Sequence, residues 1–329
     1  MSTQIIRTVL LGIVIAAGAS ACSKSGDQQA ENTQEAPAAP AVMTCDATCL
    51  NNDLDLVLEA MIAHDPSKAP LADNVRYTEN GVQLELNDGL WGTASGMPTT
   101  YKLTVPDPTL GQIAFHILMQ ESGDPIWLGG RLKVENQKIT EIEAIVIRKD
   151  GGFGNFERTL APIWTTVVDP AQRVSREKMA DIANMYFDAL QDNKADYVPF
   201  ADDCGRVENG ITTANDPNAK ARPGGPNIGI LSCAGNINSM MWRYITKIDQ
   251  RRTVAIDEEH GIVSAVVMFN HAGTADSTEI PGFGEYKYTG SAHQPFNALV
   301  LETFKIVDGK VHWIAATLDT IPYGFKTGW

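Results

Sequence analysis

The chain reads as an α+β protein built twice over: in each half an N-terminal helix is followed by a run of antiparallel strands that curve around it. Three observations predict this. A segment beginning at Pro70 returns without gaps at Pro199, with Pro, Ala, Asp, Glu, Asn and Gly recurring in register, and the copies close on Glu79-Asn80-Gly81 and Glu208-Asn209-Gly210. A helical pattern of apolar residues precedes each copy. β-rich segments separated by short polar turns follow each copy, and helices ahead of a strand run argue for α+β architecture rather than an alternating α/β one.

In the first half Leu50, Leu54, Val57, Leu58 and Met61 share one helical face. In the second, Met179, Ile182, Ala183, Tyr186 and Leu190 do the same behind Ser175, a residue suited to the N-cap. Strands are expected over 112–120, 128–134 and 139–148, and again over 252–256, 262–269, 296–306 and 311–318. Val105-x-Asp107-x-x-x-Gly111 matches Ile256-Asp257-x-x-x-Gly261, and 133–139 matches 305–311; each reads as strand, tight turn, strand. The spacing between matched segments grows along the chain, so the second half carries insertions, over 215–226 and 272–294. Both read as surface loops, with pocket lids as the alternative.

The first residues look like an export signal. Arg7 precedes an apolar stretch over 9–17 and the small residues Ala19-Ser20-Ala21, directly before Cys22. This arrangement resembles a bacterial lipoprotein box, which implies a signal peptide over 1–21 and an acylated Cys22. Ser23 is not the Asp of inner-membrane retention, so the expected address is the outer membrane, facing the periplasm. Residues 22–43, rich in Gln, Glu, Ala and Pro, read as a flexible tether. The first domain is expected over 44–165 and the second over 166–329. A formal charge of −14 argues against nucleic acid and anionic membrane surfaces as partners, leaving the anchor as the membrane contact. Five cysteines leave four after Cys22. They allow three connectivities, of which the local one, Cys45 with Cys49 and Cys204 with Cys233, is the expectation for an exported chain. A metal site at Cys45-x-x-x-Cys49 is the rival, weakened by the lack of a second pair or a His at zinc spacing.

The segments Asp88-Gly-Leu-Trp91, Asp107-Pro-x-x-Gly-Gln112, Pro199-Phe-x-Asp-Asp-Cys204-x-Arg-x-Glu-Asn-Gly210 and Pro322-Tyr-Gly-Phe-Lys-Thr-Gly-Trp329 add to Cys45-x-x-x-Cys49. With the helix, Glu-Asn-Gly and hairpin order, they resemble the nuclear-transport-factor-like cone of the SnoaL and ketosteroid-isomerase superfamily. More closely, they resemble a tandem two-cone family of fungal secreted and bacterial proteins. The resemblance covers nearly all of the chain after residue 44. It implies two tandem cone-shaped domains and homo-oligomers or an internal pseudo-dimer through sheet faces. It implies no particular chemistry, since that superfamily includes isomerases, dehydratases, lyases and non-catalytic binders.

No Gly-x-Ser-x-Gly elbow, His-Glu-x-x-His, phosphate loop or dinucleotide fingerprint is present in the sequence. Gly151-Gly-Phe-Gly154 and Gly282-Phe-Gly284 read as turns. A site without cofactor or metal is therefore the expectation. By resemblance, such a cone works by general acid–base chemistry in an apolar cavity, on a small hydrophobic molecule, aromatic ones included; lyases of lignin-derived aromatic dimers are one class in the superfamily. The expected catalytic residues are Tyr77, Glu79, His116 and Arg131. In that scheme Glu79 or His116 takes a proton, Tyr77 serves the departing oxygen, and Arg131, after the open Gly129-Gly130, steadies the oxyanion. Trp91, Tyr101, Glu143, Arg148, Arg206, Glu208, His271 and Glu302 are the expected substrate contacts. Plainer readings stand beside these. Glu79 and Glu208 fix a turn, His116 is a satisfied strand histidine, and Arg131 and Glu143 form a structural pair across their hairpin. Trp91, Tyr101, Trp127, Trp242 and Trp313 are mainly core, with one or two lining a cavity. A non-catalytic ligand-binding or structural envelope lipoprotein is the alternative function.

Overall fold

The computed structural model describes residues 45–97, 100–149, 153–221 and 224–329. The expected signal peptide, Cys22, the tether and Gly151 lie outside the described residues. From residue 45 onward the chain belongs to one compact unit. No helix among the described residues is long and apolar enough to cross a membrane.

Helix α1 (Ala47–Ile62) begins at Asp46, whose carboxylate accepts from the Cys49 N–H at 2.8 Å. Its buried stripe contains Leu50, Leu54, Val57, Leu58 and Met61. There follow β1 (Leu71–Glu79), β2 (Val82–Leu84), a single helical turn α2 (Leu90–Thr93), β3 (Ala94–Gly96), β4 (Lys102–Asp107), β5 (Gln112–Glu121), β6 (Asp124–Glu135) and β7 (Lys138–Arg148). The second half repeats the plan. Helix α3 (Arg176–Asp192) starts behind Ser175, whose hydroxyl accepts from the Lys178 N–H. After it come β8 (Phe200–Glu208), β9 (Ile211–Ala214), a short α4 (Cys233–Asn238), β10 (Lys247–Asp257), β11 (Ile262–His271), β12 (Ser277–Ile280), β13 (Gly284–Lys287), β14 (Phe296–Val307) and β15 (Lys310–Pro322). The sheets run β2-β1-β7-β6-β5-β3, with β4 also on β5, and β10-β11-β14-β15-β8-β9; β12 and β13 form a separate hairpin inside the second insertion. Disulfides join Cys45 to Cys49 and Cys204 to Cys233, the local pairing.

The architecture is α+β with strongly curled sheets, as expected, but the sheets are mixed. β1 lies parallel to β7 and β8 parallel to β15, while the other pairs are antiparallel. After each helix the chain enters its sheet beside the last strand, so the intervening hairpins serve as the long crossover a parallel pair needs. Entry is the same in both halves: the Ile139 N–H donates to the Pro70 carbonyl at 2.9 Å and the Val311 N–H to the Pro199 carbonyl at 2.8 Å.

The recurring Asn-Gly has a physical cause. Asn80 and Asn209 hold left-handed backbones (φ 47° and 45°), followed by Gly81 and Gly210 at 80° and 79°, the conformation a two-residue hairpin turn requires. The same asparagines extend the sheet with their side chains. The Asn80 amide accepts from the Val146 N–H and donates to its carbonyl (2.7 and 3.1 Å), and Asn209 does the same to Leu318 (2.9 and 3.0 Å). Asn tolerates the left-handed region and supplies both a donor and an acceptor, so it meets both demands at once.

Strand alternation sorts the side chains into three cores. One face of the first sheet covers α1 with Phe115, Ile117, Leu128, Leu132, Ile142 and Val146. The equivalent face of the second covers α3 with Val263, Val267, Val300, Phe304 and Ile314. The faces turned away from the helices pack on each other: Leu103, Val105, Ala114, Leu118 and Ile145 meet Val254, Val266, Leu299, Leu301 and Ala315. Asp107, fully buried, ties this junction together. Its carboxylate accepts from the Thr109 and Leu110 N–H groups of its own turn and from Arg176 Nη2 and the Ile256 N–H of the other half. Within the second half, buried Lys305 donates to the carbonyls of Thr166 (2.6 Å) and His260 (2.5 Å).

Candidate functional site

A cavity of about 570 Å³ opens in the second half, between its sheet and the two insertions. Trp242, Tyr244, Phe269, Tyr286, Tyr288 and Phe296 give it aromatic walls. Tyr244 sits among these rings, with Tyr288 at 5.5 Å, His271 at 5.0 Å and Trp242 at 6.2 Å between centroids. Residues 216, 218–220, 225 and 226 of the first insertion, 227–229 just after it, and Tyr286, Tyr288 and Ala292 of the second line the same space. Both insertions thus border the cavity, nearer the pocket-lid reading than the plain surface loop.

The polar end comes from β8. Residues 206 and 208 share the face turned toward α3, and Arg206 and Glu208 both line the cavity. Arg206 Nη1 donates to Glu208 Oε1, while its Nε and Nη2 donate to Glu302 Oε1 at 3.3 and 3.0 Å. The guanidinium carbon lies 6.0 Å from the rings of both Tyr186 and Trp242. Burial pushes the Glu302 carboxyl above the usual carboxylate range, against the pull of Arg206. Burial likewise raises Tyr186. Tyr186 Oη and Glu302 Oε2 are neighbours, yet neither has a well-formed hydrogen bond. No hydrogen bond from the described residues reaches Glu208 Oε2. His271 stands on β11 with its two ring nitrogens at 2.7 and 2.8 Å from the Tyr244 and Ala292 carbonyls. A neutral imidazole donates to only one of these.

The expected convergence of Tyr77, Glu79, His116 and Arg131 on one enclosed space does not occur. Tyr77 and Glu79 face α1, with Arg148 and Trp91. The Tyr77 hydroxyl (2.8 Å) and the Leu90 N–H (2.7 Å) donate to Glu79 Oε2, and Arg148 Nη2 donates to Oε1 (2.8 Å), so the carboxylate is fully occupied. Burial and then the Glu79 charge raise the Tyr77 hydroxyl. Arg148 also binds Glu121. Trp91 is completely buried in the core under this cluster. His116 and Arg131 occupy the opposite face. His116 bridges the hydroxyls of Thr317 (2.7 Å) and Thr303 (2.8 Å) of the second half, and burial pushes it down to about 3. Arg131 binds Glu143 (2.7 Å) and Glu141 (2.6 Å), and Arg252 of the second half closes on Glu143 at 2.6 Å. The Trp329 ring stacks 4.2 Å from Arg76 and 4.7 Å from Arg131. Tyr101 packs edge-on to Trp127 at 4.7 Å in the junction core. Gly129 and Gly130 open no path to a ligand: a Cβ at Gly129 would lie 2.6 Å from Thr317 Cβ, and one at Gly130 2.1 Å from the Glu143 carbonyl.

The halves differ at one cross-strand position. Phe115 faces Gly130 across β5 and β6, and the matching pair across β11 and β14 is Ala265 with Glu302. The Phe115 ring comes within 3.1 Å of where a Gly130 Cβ would stand. Aromatic bulk fills the first half at this point, whereas a small residue beside a carboxyl leaves room for Arg206 in the second. Sequence reasoning named Arg206, Glu208, His271, Glu302 and Trp242. It missed Tyr244, Tyr288 and Phe296, which lie between, within and just after the two insertions.

A family model described as a domain of unknown function (DUF8021) matches residues 172–318, the half that carries the cavity. No curated protein matches the chain. Solved structures similar to about one half of it include a de novo designed protein with a curved β-sheet (14% identity, 44% of this chain and 88% of that one, TM-score 0.24). AclR from Streptomyces galilaeus, named as a candidate hydroxylase, is similar at 14% identity over 45% and 83%, TM-score 0.28. A phenazine biosynthesis-related protein, PhzB2 of Pseudomonas aeruginosa, is similar at 11% identity over 44% and 80%, TM-score 0.26.

Proposed function

We propose that the second half is a small-molecule site that performs cofactor-independent acid–base chemistry, an elimination or an isomerisation, on an uncharged ring-bearing compound. Aromatic molecules of the lignin-derived type are the first class to assay. The observation that carries this reading is a cavity of about 570 Å³ with aromatic walls and, at its polar end, a carboxylate with one oxygen held by Arg206 and the other without a hydrogen bond from the described residues. Sites of this kind bind mainly through apolar contact and orient the ligand with a few polar groups. In the proposed step Glu208 Oε2 takes a proton from carbon. The electron pair then expels a leaving group or shifts to the neighbouring position, and the proton returns to the departing oxygen or the shifted carbon. Arg206 positions Glu208 and holds its charge. Binding without turnover is the second reading, favoured by that same Arg206 pairing, which ties up one of the two Glu208 oxygens. The acylated Cys22 would hold the protein in the cell envelope, and loss of fatty-acid labelling in Cys22→Ser tests that placement.

The deciding experiment is mass spectrometry of small molecules retained by the purified protein and by Glu208→Gln, followed by incubation of any retained compound with both. A ring compound retained and converted by the wild type, but retained unconverted by Glu208→Gln, supports the catalytic reading. Retention without conversion in both supports binding alone. A retained compound converted equally by both removes Glu208 from the chemistry.

A further inference from the structure

We infer that the molecule held in this cavity is hydroxylated: it presents O–H donors to the polar end and carries no carboxylate or phosphate there. The inference rests on the ligand-site reading above and names the chemistry of its ligand. It follows from a census of the polar atoms around the cavity. The charged and ring N–H donors at the polar end are already engaged. Arg206 is engaged from both sides by Glu208 and Glu302. Trp242 Nε1 donates to Asn236 Oδ1 at 2.9 Å, and the Tyr288 hydroxyl donates to the Met241 carbonyl at 3.1 Å. The ring nitrogens of His271 face carbonyls. Lys220, the other cation among the described lining residues, is solvent-exposed.

An acceptor is left over. Glu208 Oε2 takes no hydrogen bond from the described residues, and its side chain lines the cavity. An acceptor drawn out of water without a donor is costly, and a ligand that supplies a proton removes that cost. A ligand anion would meet Glu208 Oε2 with like charge. A ligand cation is not required, since Arg206 already answers the Glu208 charge. The hydroxyls of Thr320 and Tyr286 serve either role and do not alter the balance.

The test uses three probes with one ring system: 2-naphthol, 2-methoxynaphthalene and 2-naphthoate, each measured by equilibrium dialysis at neutral pH against wild type and Glu208→Gln. A site built to pair a hydroxyl rejects the analogue that lacks it. The wild type is expected to bind naphthol about ten-fold or more tightly than the methyl ether, with naphthoate weakest, since a hydrogen bond to a charged acceptor is among the stronger ones. In Glu208→Gln, whose amide both donates and accepts, the preference for naphthol should shrink to about three-fold or less. Equal binding of naphthol and ether by the wild type, tightest binding of naphthoate, or a preference that survives intact in Glu208→Gln overturns the inference while leaving a ring-binding site in place. Failure of all three probes to bind removes the ligand-site reading and this one with it. The wild-type comparison needs no variant, so it stands whether or not Glu208→Gln folds.

Discussion

The histidine between the two sheets makes stability acid-sensitive, and the size of the effect follows from its burial. His116 is 1% exposed, hydrogen-bonded only to hydroxyls, and held down to about 3 against an ordinary 6.5. Above about pH 6.5 the ring is neutral in both folded and unfolded chains and contributes no pH dependence. Below that, the unfolded chain takes up a proton that the folded one refuses, so stability falls as pH falls until the folded value is reached. At about pH 5 the unfolded ring is almost fully charged while the folded ring is still neutral, which amounts to a loss of about 2 kcal/mol relative to about pH 7.5. Replacing His116 by Gln keeps hydrogen-bonding capacity toward Thr303 and Thr317 and removes the titration. Urea unfolding of both proteins, followed by tryptophan fluorescence with disulfides intact, gives the comparison. The wild type should lose about 2 kcal/mol more than His116→Gln between the two pH values. Parallel losses in both would refute the reasoning, because the acid sensitivity would then arise elsewhere.

Other outcomes follow from the same geometry. Gly129→Ala places a methyl 2.6 Å from Thr317 Cβ of the facing sheet; thermal melting should show a loss of about 1–3 kcal/mol, and an unchanged midpoint would mean that the sheets separate freely there. Arg206→Met strands Glu302 in the core and should cost about 3–5 kcal/mol, whereas Glu302→Gln should cost about 1 kcal/mol, since Arg206 then still pairs with Glu208. Equal melting points for the two variants would contradict this. Lys305, lowered to about 8 from 10.5 by burial, refuses its proton in the folded state while the unfolded chain keeps it. Its contribution therefore rises with pH across that window, and the wild type should gain stability relative to Lys305→Met between about pH 8 and about pH 10 in urea titrations.

Much of the fold was legible because it is written in short-range patterns. The apolar stripes of α1 and α3 follow helical spacing. Asn80-Gly81 and Asn209-Gly210 demand left-handed backbone, and Asp107 and Gly111 mark a tight turn wherever they fall. The duplication shows in the same way, as local requirements stated twice. The local pairing of the cysteines was one of three connectivities open to the sequence, and the folded chain is what selects it.

The α+β class, the two-copy plan, the strand hairpins and the candidate polar residues of β8 and β14 are written in the residues. Which half holds the cavity and which polar residues meet are settled by the folding of distant segments onto one another. A strand pattern says that His116 and Tyr77 each lie on one face of a strand, but not which face turns toward a helix and which toward a second sheet. That depends on register, and a one-residue change of register reverses it. His116 and Arg131 went to the junction and Tyr77 to a filled interior. The halves also differ at one facing pair, Phe115 with Gly130 against Ala265 with Glu302, and the cavity walls come from the two insertions. Those side chains meet, and the insertions reach the sheet, only once the strands have paired.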